Sequence, residues 1–186
     1  MGAPRITSVL LVAALAAACN SDTTDPNGST PVPATSLLAV TPQGGATNVD
    51  PAGPLVLRFD GAMMPGMEAY VDLHRGDVTG PIHPIGCEWS EDHATLTCMP
   101  EGPLEHQVRY TLHLGGGMRD ADGAPIHLDP AHCRGDWVEA GTPMGPGMGH
   151  DGMMGESHAG EPWTMMGPGW RHENGSYGMG VDFETR

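Results

Sequence analysis

The chain has 186 residues, room for one domain with accessory segments. Its 23 acidic residues outnumber eight basic ones, all Arg, for a formal net charge of −15. That field opposes nucleic acid and anionic lipid headgroups and favours cations. The plain alternative is that the charge serves solubility on an exported surface.

From the N-terminus, Arg5 is followed by ITSVLLVAALAAAC, an apolar run that is too short and too early to span a membrane. It resembles a bacterial lipoprotein signal. Residues 1–18 are then the leader, and Cys19 is the first mature residue, carries the lipid and anchors the chain to a membrane. Asn20 is not the inner-membrane retention residue, so a host with two membranes is expected to send the protein to the outer one. Ordinary secretory cleavage near Ala18 is the alternative. Removing the leader takes away Arg5 and no acid, leaving 7 − 23 = −16. Residues 19–35 are rich in Ser, Thr, Pro, Asn and Asp with no apolar period, the composition of a disordered tether.

Three further cysteines, Cys87, Cys98 and Cys133, would lie in an oxidising compartment. Cys87 and Cys98 flank EWSEDHATLT, which reads as strand, tight turn, strand. With Asp92 and His93 as a two-residue turn, the two cysteines fall opposite each other, within bridging range. Cys133, beside His132, is the odd thiol. Without lipid on Cys19, a second bridge from Cys133 becomes open.

Residues 36–186 read as one domain. Short β runs at 36–41, 55–59, 69–74, 82–89, 94–99 and 108–114 are separated by turn clusters, and none has a helical period. In the last of these, Val108, Tyr110, Leu112 and Leu114 share one face, and Arg109, Thr111 and His113 the other. Strands at this spacing argue for a β-sandwich.

The string VTPQGGATNVDPAGPLVLRFDGAMM resembles the opening of bacterial Ig-like domains of the type found in S-layer and other surface proteins: a strand, a G-A-T-N-V turn, a Pro-flanked strand ending in Phe, then Met63. ATLTCMPEGPLEHQVRYTLHLGGGMRDADGAPI resembles that family's later half, with a turn at Pro103-Leu104, a Tyr-centred strand and a D-x-x-G turn at 120–123. The resemblance covers 37–126 and implies an all-β, Ig-like antiparallel sandwich. It also implies one more strand soon after the turn. None follows promptly. Only at the C-terminus do Tyr177, Met179, Val181, Phe183 and Thr185 alternate with Gly178, Gly180, Asp182 and Glu184. This period of two reads as the closing strand, which makes 127–175 a long insertion with both ends tied to the sheet. The alternative, a sandwich ending near Leu128 with a free tail, leaves the sheet one strand short and an edge exposed. A longer loop adds little closure entropy, about 0.6 kcal/mol per doubling.

Within that insertion, PMGPGMGHDGMMGESHAGEPWTMMGPGW holds six Met and two His between Gly and Pro. Thioether and imidazole donors at Met144, Met148, His150, Met153, Met154, His158, Met165 and Met166 suit Cu(I) or Ag(I), and Asp151 and Glu156 could assist with Cu(II). The competing readings are a flexible or packed Met/Gly loop, which Trp137, Trp163 and Trp170 favour, or an oxidant scavenger. Asp120 to Gly123 has calcium-loop spacing without the downstream Glu and reads as a turn. His74, His83, His93, His106 and His113 read as solvated residues on turns or outward strand positions. No nucleophile elbow, HExxH, P-loop or dinucleotide fingerprint occurs, so no catalysis is expected. The sequence thus predicts a non-catalytic envelope lipoprotein whose displayed loop binds copper or silver. The alternative is a structural or adhesion module contacting an envelope protein or polysaccharide.

Overall fold

In a computed structural model of the chain, residues 34–140, 142 and 168–186 are described. Cys19 and all eight tract residues from Met144 to Met166 lie outside them. Residues Ala34–Arg186 form one compact unit.

Period-two patterning sorts the chain into two packed sheets. The first runs β1 (Leu37–Thr41), β3 (Leu55–Phe59), β7 (Thr95–Pro100) and β6 (Ile85–Trp89). The second runs β2 (Ala46–Val49), β10 (Gly178–Thr185), β8 (Arg109–Gly115), β4 (Val71–Arg75) and β5 (Ile82–His83). A two-residue β9 (Asp136–Trp137) also pairs with β10. Leu55, Leu57, Phe59 and Leu96 from one sheet and Leu73, Tyr110, Leu112, Leu114, Met179, Val181 and Phe183 from the other are buried together as the core. This is the expected all-β, Ig-like sandwich, with antiparallel pairing throughout except where β2 runs parallel to β10.

Several local expectations change. The run at 82–89 is two strands, not one, because Pro84 lacks a donor and the chain there passes from one sheet to the other. The G-A-T-N-V turn contributes β2, which pairs Ala46 with Phe183 and Val49 with Thr185. The run at 69–74 starts as a 3-10 turn, Met67–Tyr70, that buries Met67 before β4 begins.

The closing strand forms where the alternation places it. β10 lies between β8 and β2 and buries Met179, Val181 and Phe183. Gly178 enters it at φ +106, and a Cβ there would stand 1.9 Å from the Leu114 carbonyl oxygen, so no other residue fits. The Asp120 carboxylate accepts from the Asp122 and Ala124 N–H groups, forming the ordinary turn expected there.

Cys87 and Cys98 are directly opposite in the β6/β7 register and form the expected disulfide. Cys133 is a buried free thiol on a single helical turn, α1 (Pro130–Cys133), capped by the Asp129 side chain. Burial, and secondarily the Asp129 charge, raises its pKa, so the thiolate that would react is disfavoured.

Candidate metal centre

The inward face of the second sheet is core, and its outward face carries the chemistry. On β4, Val71 and Leu73 point inward, so Asp72 and His74 share the opposite face. On β8, Leu112 and Leu114 point inward, which places Thr111 and His113 beside them. The register pairs Asp72 with His113 and His74 with Thr111. One ligand-capable atom from each of Asp72, His74 and His113 falls within 4.8 Å of the others, and this is the one such group among the described residues.

His74 and His113 are both fully buried, which corrects the expectation that they are solvated. The reason is a third layer. After β9, Val138 exchanges backbone hydrogen bonds with Tyr177 and Gly178, and Val138, Tyr177, Val78 and Trp170 form a small apolar cluster over the outer face. The Trp170 indole lies nearly parallel to the His113 ring, with centroids 5.6 Å apart. Of the other histidines read as solvated, His106 is exposed and His83 and His93 are half-buried.

The hydrogen bonds show which nitrogen of each ring donates. His74 Nδ1 is 3.0 Å from the Gly80 carbonyl oxygen, and His113 Nε2 is 3.0 Å from the Tyr177 carbonyl oxygen. A carbonyl only accepts, so each of these nitrogens carries the proton, and the other nitrogen of a neutral ring presents a lone pair. Those remaining atoms, His74 Nε2 and His113 Nδ1, are buried without a hydrogen-bond partner among the described residues. Burial, outweighing the Tyr177 hydrogen bond and aided by nearby His74, lowers the His113 pKa to about 3, so this ring is neutral at physiological pH. His83, His93 and His172 also have a buried nitrogen without a hydrogen-bond partner among the described residues. None of them belongs to a converging group with a carboxylate.

Further acids surround the cluster. Asp77, whose pKa is lowered chiefly by hydrogen bonds from Thr79, also feels His74. Asp182 pairs with Arg109 and accepts from the Thr111 hydroxyl. Two buried imidazoles anchored on backbone carbonyls, with a carboxylate opposite, form a donor set suited to a borderline divalent ion.

The sequence reading missed this group because its pairing is nonlocal. Asp72-x-His74 and an outward His113 are visible signals, but that β4 lies against β8 is not. The residues flanking the Met/His tract, Val138 and Trp170, both lie on this face.

Two facing sheets closed by a C-terminal strand place the chain among Ig-like β-sandwich proteins. A family model described as bacterial Ig-like domain matches residues 30–132, more than half of the chain, and the protein belongs to that family. No curated protein matches it in sequence. Among solved structures, the S-layer protein SbsC is 14% identical with a TM-score of 0.38, over 52% of this chain and 13% of that one. CopC from Methylosinus trichosporium OB3b is 20% identical with a TM-score of 0.39, over 50% of this chain and 84% of that one. Mycobacterium tuberculosis L,D-transpeptidase 1 is 16% identical with a TM-score of 0.34, over 59% of this chain and 44% of that one. Likenesses this distant do not bear on what this chain binds.

Proposed function

We propose that this protein is a non-catalytic envelope module that holds a divalent transition-metal ion between Asp72, His74 and His113. The observation that carries the reading is the pair of buried imidazoles, each with one nitrogen held on a backbone carbonyl and the other without a hydrogen-bond partner among the described residues, beside a carboxylate. Leaving such nitrogens buried without a partner costs stability, and an ion satisfies both at once. An ion with ligands at about 2.0–2.1 Å in tetrahedral geometry spaces its donors roughly 3.3 Å apart. The donor atoms of the three groups lie within 4.8 Å of one another, so an ion would have to draw them somewhat closer. Two nitrogens and one oxygen suit Cu(II) and Zn(II), with Cu(II) the tighter in the divalent series. The acidic surroundings favour any cation.

The Met/His tract supplies a second, softer donor set for Cu(I) or silver in this reading. Cys19 supplies the lipid anchor, and the Cys87–Cys98 disulfide supports an oxidising compartment. The test is to titrate the purified protein with Cu(II) and Zn(II) against a chromophoric chelator. One ion per chain, abolished by His74→Ala and by His113→Ala, is expected. An inability to compete at micromolar protein would overturn the reading.

A further inference from the structure

We propose that Trp170 is a positioning residue for His113, and that ion binding at Asp72, His74 and His113 is thermodynamically coupled to docking of the strap formed by residues 168–177. This rests on the metal centre proposed above and concerns its regulation.

Two of the contacts that orient the His113 ring come from the strap. Tyr177 offers the carbonyl that holds Nε2–H, and the Trp170 indole lies against the ring face at 5.6 Å with an interplanar angle of 14°. Together they fix the direction in which Nδ1 points. Tyr70, from the 3-10 turn before β4, contacts the same indole, with ring centroids 5.1 Å apart.

Beside these ring contacts, the strap approaches the backbone of the segment that ends β8 closely. A Cβ on Gly115 would come within 2.3 Å of the Trp170 ring, and one on Gly117 within 1.5 Å of the Gly169 carbonyl oxygen. The Gly116 N–H donates to the Trp170 carbonyl at 2.9 Å. Within the strap Arg171, Glu173, Asn174 and Gly175 are exposed, whereas His172, Ser176 and Tyr177 are buried and the His172 ring packs on Trp137 with centroids 4.9 Å apart. Lifting it would remove the hydrogen bond and the stacking partner of one metal ligand together. By linkage, an ion that fixes His113 must then favour the docked strap by the same factor with which the docked strap favours the ion.

The experiment uses the full chain with Zn(II) and Cu(II) as probes, comparing wild type with Trp170→Phe, Trp170→Ala and Gly115→Ala. Trp170→Ala is expected to weaken Zn(II) binding ten- to a hundredfold, the usual range for groups that orient a ligand. It should also change the Cu(II) electron paramagnetic resonance spectrum, and Trp170→Phe should restore most of both. Gly115→Ala, which keeps every aromatic residue in the sequence but displaces the indole, should behave like Trp170→Ala. In wild type, Zn(II) should slow amide hydrogen exchange at His172 and Tyr177, whose N–H groups donate to Ser176 and Val138. If wild type binds but Trp170→Ala keeps its affinity and spectrum, or Zn(II) leaves strap exchange unchanged, the coupling is overturned alone. If wild type binds no ion, the metal centre falls and the coupling with it.

Discussion

Asp72 and His113 face each other directly across β4 and β8, and His74 stands two residues along on the same face of β4. Cross-strand partners in this relation have Cβ atoms about 4.5–5.5 Å apart, close enough to share one ion. His74→Ala or His113→Ala should therefore reduce Cu(II) and Zn(II) affinity at least a hundredfold in a chelator competition. Replacing Met144, Met148, Met153, Met154, Met165 and Met166 by Ser should leave that affinity unchanged and lower Cu(I) binding instead. The opposite pattern would place the divalent ion in the tract.

The buried His113 ring sets a direction for acid sensitivity without metal. Above the ordinary imidazole pKa of 6.5, neither the folded nor the unfolded chain protonates it. Below 6.5 the unfolded chain takes up a proton that the folded site resists until about pH 3. Stability present above 6.5 should thus be lost as pH falls through this window, by up to about 1.4 kcal/mol per pH unit from this group. Urea unfolding at pH 7, 5.5 and 4.5 should show the decline, and His113→Gln should flatten it.

The Cys87–Cys98 bridge joins residues 11 apart in sequence. Closing a loop of this size restricts the unfolded chain by an amount worth roughly 2–3 kcal/mol. Cys87→Ala with Cys98→Ala should lower the free energy of unfolding by about that much, read by denaturant titration. Reductant should lower the wild type similarly and leave the double variant unmoved.

The closing strand makes a different demand. Phe183 is buried, lies 6.0 Å from Tyr110 ring to ring, and pairs with β8 on one side and β2 on the other. Phe183→Ala should cost about 3–5 kcal/mol. Removing the residues after Gly175 deletes β10 between its two neighbours and should abolish cooperative unfolding in calorimetry. A truncated chain that still unfolds cooperatively would mean the sandwich closes without it.

Much of this was open to local reading because the signals are local. Period-two alternation located β3, β8 and β10, and the EWSEDHATLT turn put Cys87 opposite Cys98. The turn at Asp120 follows from a short carboxylate bonding its own neighbouring N–H groups. Alternation also assigned His113 to the outward face of its strand, but it could not tell whether that face meets water. Only the tertiary structure decided that. Residues 136–138 and 168–177, beside the Met/His tract, fold back over the second sheet and cover His113, while the carbonyl of Gly80 reaches the buried His74. The metal centre in turn depends on β4 lying against β8 in one register, nearly forty residues apart in sequence. Side-chain facing is set within a strand by the pleat, whereas burial and strand neighbours are set by packing the whole chain.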